Sequence, residues 1–154
     1  MSLTLRPATT DDRAFLSALA DRLADFETPA WRSRAQVAEG DRRDLLAALD
    51  EPPPASELVI AELDGAPEGC LHVVTKADFF TLRPHGHISV IAVTKQAEGR
   101  GVGHALMDYA ERWSRALGYD HLTLNVFPAN ARARAFYERH GYALDLISMR
   151  KDMP

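Results

Sequence analysis

Residues His87 to Val93 read His-Ile-Ser-Val-Ile-Ala-Val, a run that is apolar on both faces toward its C-terminal end. A strand of that kind belongs in the middle of a sheet. It leads within a few residues into Gln96-Ala97-Glu98-Gly99-Arg100-Gly101-Val102-Gly103-His104. A helix follows whose apolar face is Val102, Ala105, Leu106, Tyr109, Trp113 and Leu117, and which stops at Gly118, a good C-cap residue. His121 to Phe127 then alternates Leu122, Leu124 and Val126 with Thr123 and Asn125, a strand stopped by Pro128. A short helix from about Asn130 to His140, ended by Gly141, and a final strand over Tyr142 to Met149 complete the second half. The order β, Gly-rich turn, α, β, α, β predicts an α/β (α+β) architecture in which helices flank a sheet.

The first half is less regular. Leu3 to Arg6 reads as a short strand ended by Pro7, and Thr9-Thr10-Asp11-Asp12 can start a helix. Leu16, Leu19, Leu23 and Phe26 give that helix, about Asp11 to Ala24, one apolar face. Between Phe26 and Asp50 the pattern fits one or two helices interrupted by Gly40, and Pro52-Pro53-Pro54 is a stiff connector. Leu58 to Leu63 and Gly69 to Lys76, joined through Asp64-Gly65, read as a β-hairpin. Asp78 to Gly86 is a loop or strand extension carrying Phe79, Phe80, Pro84 and His85. With 154 residues and no linker-like stretch, one domain over residues 1–154 is expected.

Composition removes several function classes. A net charge of −4 is not the basic footprint of a nucleic-acid binder. No apolar stretch approaches the roughly 18 residues of a membrane span, and the polar start Met1 to Arg6 is unlike a secretory signal. Cys70 is the only cysteine, so neither an internal disulfide nor a cysteine-rich zinc site can form, and a cytoplasmic setting is the simplest expectation.

The glycine-rich turn has the make-up of an anion site. Glycines let the chain turn tightly and bring its N–H groups close to a phosphate, the helix N-terminus favours negative charge, and Arg100 can add a contact from the solvent side. It is not a P-loop, because Gly103 is followed by His104 and Ala105 in place of Lys and a hydroxyl residue. It is not a dinucleotide fingerprint either, since the glycines fall at alternate positions, 99, 101 and 103.

These residues resemble a known family. Gln96-Ala97-Glu98-Gly99-Arg100-Gly101 is similar to the acetyl-CoA motif of the GNAT family of N-acetyltransferases. Leu124-Asn125-Val126, Asn130 to Glu138 with its Phe136-Tyr137-Glu138 triplet, and Gly141-Tyr142 look like that family's second block. The opening Leu5-Arg6-Pro7-Ala8-Thr9 with Asp11-Asp12 is similar to its first strand and turn. The resemblance covers essentially the whole chain. It implies a mixed, twisted sheet splayed between the His87–Val93 and His121–Phe127 strands, with acetyl-CoA as donor. Backbone groups of Ile91, Ala92 and Val93 would pair with the pantetheine arm. Amides of Gly99, Arg100, Gly101, Val102, Gly103 and His104 would hold the pyrophosphate, and Asn130 would cap its helix or reach the pantetheine. Tyr137 occupies the family's general-acid position. A homodimer is a further expectation of the resemblance.

Transfer to a primary amine also needs a base, because an amine of pKa about 10 is neutral in only about one molecule per two thousand at pH 7. Many relatives place a Glu in the strand before the glycine turn, but here that stretch reads His87-Ile88-Ser89-Val90. His87, Ser89 through water, and Asp145 are the candidates. His85 and His87 alternate like two metal ligands, yet no further ligand is evident near them in sequence, so no metal is expected. Trp31, Arg32, Arg34, Phe79, Phe80 and Arg83 could shape an acceptor pocket. The leading expectation is an enzyme that acetylates an amine. A non-catalytic acyl-CoA-binding or sensing module and a nucleotide-binding regulatory domain are the alternatives.

Overall fold

Strands that are apolar on consecutive residues need cover on both sheet faces, and the fold supplies it. The computed structural model describes all residues, Met1 to Pro154. Its elements are β1 (Leu3–Pro7), α1 (Arg13–Arg22), α2 (Arg34–Asp50), β2 (Glu57–Leu63), β3 (Ala66–Ala77), β4 (Pro84–Val93), α3 (Val102–Ala116), β5 (Leu122–Leu124) and α4 (Ala131–Arg139). The strands form one five-stranded sheet in sequential order. All pairs are antiparallel except β4 with β5, which is parallel, so the sheet is mixed as expected.

Neighbouring residues of one strand feed different cores. Val59, Ala61, Leu71, Val73 and Ile88 pack with Val102, Leu106, Met107 and Ala110 of α3. Ile60, Cys70, Val90 and Ala92 pack with Leu16 and Leu19 of α1 and Leu45 of α2. Full burial in the second core pushes the Cys70 thiol up to about 12, which makes it an inert packing group. At the sheet edge, Arg6 of β1 donates two hydrogen bonds of 2.8 Å to Asp12, which also accepts the Thr9 N–H at 2.8 Å. This buried carboxylate ties β1 to the entrance of α1, and the Arg6 hydrogen bonds hold its pKa below the usual range.

The uncertain stretch before the prolines contains one helix, α2. Ser33 caps it by accepting the Gln36 N–H at 3.1 Å, while the Gln36 side chain accepts the Ser33 N–H at 2.8 Å. Gly40 lies inside α2 with open space where a Cβ would stand. The expected final strand over Tyr142 to Met149 does not form. β5 is only three residues long, too short an edge for a ladder of that length, and residues 143–154 make no backbone hydrogen bond. Leu144, Leu146, Ile147 and Met149 are exposed.

Glycine is required where α3 crosses the β4–β5 pair. A Cβ on Gly86 would lie 2.4 Å from Ser114 Oγ and 2.6 Å from Leu122 Cδ2. Gly86→Ala is therefore expected to destabilise the protein by about 1–3 kcal/mol through overpacking, whereas Gly40→Ala should stabilise it by about 0.5–1 kcal/mol. Chemical denaturation midpoints check both signs, and a neutral Gly86→Ala would mean that α3 is not held against this pair.

Candidate active site

The centre of the sheet opens. Val90 pairs with His72 and Ile88 with Val73, so Ser89 has no partner and forms a β-bulge in β4. The bulge reverses which face successive side chains meet: Ile88 packs toward α3, but Val90 and Ala92 pack toward α1 and α2. On its other side β4 pairs with β5 only over Gly86 to Ile88, opposite Leu122 to Leu124. Beyond that the strands part. The Thr94 N–H donates to the Glu68 carbonyl at 2.9 Å. By ladder alternation Ala92 also turns its backbone to β3, opposite Cys70, and Ile91 and Val93 point theirs into the gap.

The gap runs toward the start of α3. α2 and α4 begin on side-chain caps, Ser33 and Asn130, but α3 begins on Gly101, which has none. The N–H groups of Gly101, Val102, Gly103 and His104 have no acceptor in the chain. Gly99 and Gly101 have φ of 73° and 85°, a region that glycine enters without strain, and a Cβ at either would meet nothing within 4 Å. The result is an open cradle of unpartnered donors at the positive end of a 15-residue helix, which suits a phosphate group. Gly103 has a packing reason as well, because a Cβ there would approach Phe136 Cζ of α4 to 3.1 Å. Glu98 braces the turn through ion pairs to Arg22 and to Arg132, the latter at 2.6 Å.

On the α2 side lies a cavity of about 740 Å³ whose lining includes Trp31, Arg32, Asp41, Arg43, Phe127 and Arg150. Asp41 is half-buried, and burial followed by the charge of Asp44 pushes its carboxyl up to about 6. Its charge in turn acts on Tyr137 of α4, whose phenol is pushed up to about 12 by burial and then by Asp41. The Tyr137 hydroxyl makes no hydrogen bond within the chain, and its ring packs beside the α3 core. The Asp41 charge thus reaches Tyr137 although the two residues belong to different helices, α2 and α4. Beneath α2, Asp44 pairs with His72 Nδ1 at 2.7 Å, leaving the buried Nε2 of His72 without a partner.

Residues 18–142 match the model of the acetyltransferase (GNAT) family. The chain belongs to that family. A stretch of 57 residues is 49% identical to a mycothiol acetyltransferase of Beutenbergia cavernae, covering 37% of this chain and 19% of that protein. Another of 84 residues is 33% identical to an uncharacterised N-acetyltransferase of Methanocaldococcus jannaschii, covering 54% of this chain and 50% of that protein. The chain therefore spans about a fifth to a half of these relatives. The ribosomal-protein-alanine N-acetyltransferase of Brucella melitensis shares the fold with a TM-score of 0.72 at 19% identity, over 99% of this chain and 100% of that one. An aminoglycoside 6′-N-acetyltransferase of Acinetobacter haemolyticus does so at 0.70 and 17%, over 98% and 99%.

Against the GNAT pattern, the structure gathers the glycine turn, Ile91, Val93 and Tyr137 around one gap and redistributes other candidates. The outward backbone groups belong to Ile91 and Val93, not to Ala92. Asn130 caps α4 by accepting the Ala133 N–H at 3.3 Å. Arg100 reaches Asp64 at 3.8 Å, and His104 contacts Asp108 and His140 at 3.3 and 3.0 Å. His87 is buried with its Nδ1 2.7 Å from Thr123 Oγ1, and burial drops its pKa to about 4, which leaves a weak base. Ser89 sits at the bulge, and Asp145 lies in the exposed C-terminal stretch. Of the expected pocket residues, Trp31 and Arg32 line the cavity, while Phe79, Phe80 and Arg83 lie at the β3–β4 connection. Asp41 escaped sequence reading because it is one of several acidic residues on a highly charged helix. Only its burial in the folded chain distinguishes it.

A carboxyl whose folded pKa lies above its unfolded value favours folding while protonated, and that stability is lost as pH rises from about 4 through about 6. Asp41→Asn removes the loss. Discounted for partial exposure, the gain at pH 7.5 is on the order of 1 kcal/mol, or about 3 °C in Tm, and should vanish near pH 4. Thermal melts at the two pH values check this; a less stable variant at pH 7.5 would contradict the burial of this charge.

Proposed function

We propose that the protein transfers an acetyl group from acetyl-CoA to a primary amine held in the α2 cavity. The observation that carries this reading is the gap beyond Ile88, where outward backbone groups run toward an uncapped helix N-terminus; a phenol without a hydrogen bond and a carboxyl with a raised pKa would supply the proton-transfer groups. Gly101 to His104 would hold the pyrophosphate through their amides, and Ile91 and Val93 would pair with the pantetheine arm as a strand would. The donor supplies the acyl group as a thioester, a form already activated toward amines.

The chain's own residues handle the protons. Asp41 takes one from the incoming ammonium, so that the amine lone pair can form the new C–N bond while the C–S bond breaks. A carboxyl near pKa 6 is a stronger base than an ordinary carboxylate and is ionised at neutral pH. The Ile91 N–H faces the charge developing on the carbonyl oxygen. Tyr137 donates its hydroxyl to the leaving thiolate. With a pKa pushed to about 12 it holds its proton firmly while Asp41 is charged. Once Asp41 is protonated, the negative charge that helped raise the phenol is gone, and Tyr137 becomes a better donor as the thiolate departs. The two groups would act in sequence, because the Asp41 charge bears on the Tyr137 phenol.

Two variants test the roles. Tyr137→Phe should lower turnover at least about tenfold, within the usual range of acid catalysis, with acetyl-CoA affinity nearly unchanged. Asp41→Asn should slow the reaction and abolish the rise in kcat/KM through pH about 6. Thiol release across a panel of amines, with calorimetry on acetyl-CoA, CoA and ATP, checks both. Acetyl-CoA binding without thiol release for any amine would favour an acyl-CoA-binding module, and ATP binding without CoA binding would overturn the donor assignment.

A further inference from the structure

We propose that Asp78, His85 and His121 form a binding site for a divalent metal ion of the zinc type at the closed end of the β4–β5 pair. Their donor atoms lie within 4.8 Å of one another, although they come from the β3–β4 connection, β4 and the entrance to β5. Sequence spacing could not reveal this, because His121, just before β5, lies far in sequence from the His85 and His87 pair.

Each donor is already oriented by a second group. His85 is only 6% exposed, and its Nδ1 makes no well-formed hydrogen bond, with only the Arg83 backbone toward it, an expensive state for a buried polar atom. Its Nε2 lies 3.1 Å from Thr123 Oγ1, which is 2.7 Å from His87 Nδ1. One arrangement satisfies all three groups. His85 Nε2–H donates to the hydroxyl, the hydroxyl donates to His87, and the lone pair of His85 Nδ1 faces the site. The Asp78 Oδ1 accepts from the Phe80 N–H at 2.8 Å, the Thr81 N–H at 2.8 Å and the Thr81 hydroxyl at 3.2 Å, which leaves Oδ2 free. The Asp120 carboxylate accepts from His121 Nδ1 at 2.6 Å and so presents Nε2 as the ligand. A carboxylate behind a ligating imidazole is the usual support of a zinc histidine.

Two imidazoles and one carboxylate with an open fourth position suit Zn²⁺. Bonds of about 2.1 Å in a tetrahedral site would draw the donors to about 3.4 Å from one another. The His121 ring, now stacked on His85 at 4.5 Å and 16°, turns out of the stack to share the ion; its side chain is 43% exposed and has room to do so. The bound ion would fasten the β3–β4 connection and β5 to β4 just before the strands part. β5 is paired to β4 over only three residues, so a tie at this point would hold the width of the gap.

Calorimetry of the chain without an affinity tag, titrated with Zn²⁺, should give one ion per chain. Thermal melts should rise with Zn²⁺, and Co²⁺ should give the visible absorption of a tetrahedral site. His121→Ala changes a half-exposed residue and should lower Zn²⁺ affinity at least tenfold; Asp78→Asn should remove the Co²⁺ band. His104→Ala, at the separate His104–His140 contact, should leave both signals in place. Absence of saturable binding, retention of full affinity in His121→Ala, or loss of the signal in His104→Ala would overturn the site.

Discussion

Backbone amides that lose a ladder partner must find another or remain unpaired at a free-energy cost. In this sheet the loss falls beyond Ile88 and Leu124, where a β4 strand that stays paired with β3 leaves a three-residue β5 behind. The Ser89 bulge turns the strand and changes which side chains meet each core, and the ladder with β3 resumes at Val90. Ile91 and Val93 then present donors and acceptors to an open slot. A ligand with an extended amide chain can complete this strand edge as a neighbouring strand would. The uncapped start of α3 lies at one end of that slot, with Gly103 close to the Val93 side chain.

The electrostatics follow from the same opening. In a continuous sheet, groups on α2 and α4 would be separated by a packed apolar layer. Here the Asp41 charge, after burial, contributes to the raised pKa of Tyr137. Burial sets both pKa values first, and each group is ordinary in type. Both raised pKa values therefore come from position and need no unusual residue.

Much of this was legible in the residues. The apolar His87–Val93 run placed β4 in the centre, the alternate glycines marked the α3 start, and Asn130 with the Phe136-Tyr137-Glu138 triplet marked α4. These signals are local, set by periodicity and turn chemistry within a few positions. The missed features are long-range. Asp41 is on a helix, α2, that packs across β4, and Asp78, His85 and His121 meet because a hairpin connection folds against the entrance to a parallel strand. The Tyr142–Met149 run has strand-like residues, but a strand also needs an edge to pair with, and β5 is too short to provide it.

The most direct measurement is amide hydrogen exchange, resolved by residue, with and without acetyl-CoA. Binding should protect Ile91 and Val93 and the amides of Gly101 to His104, while Ala92, already turned to β3, changes little. Protection that spares the gap while acetyl-CoA is bound, or that falls mainly on another element, would contradict the assignment of this opening as the donor site.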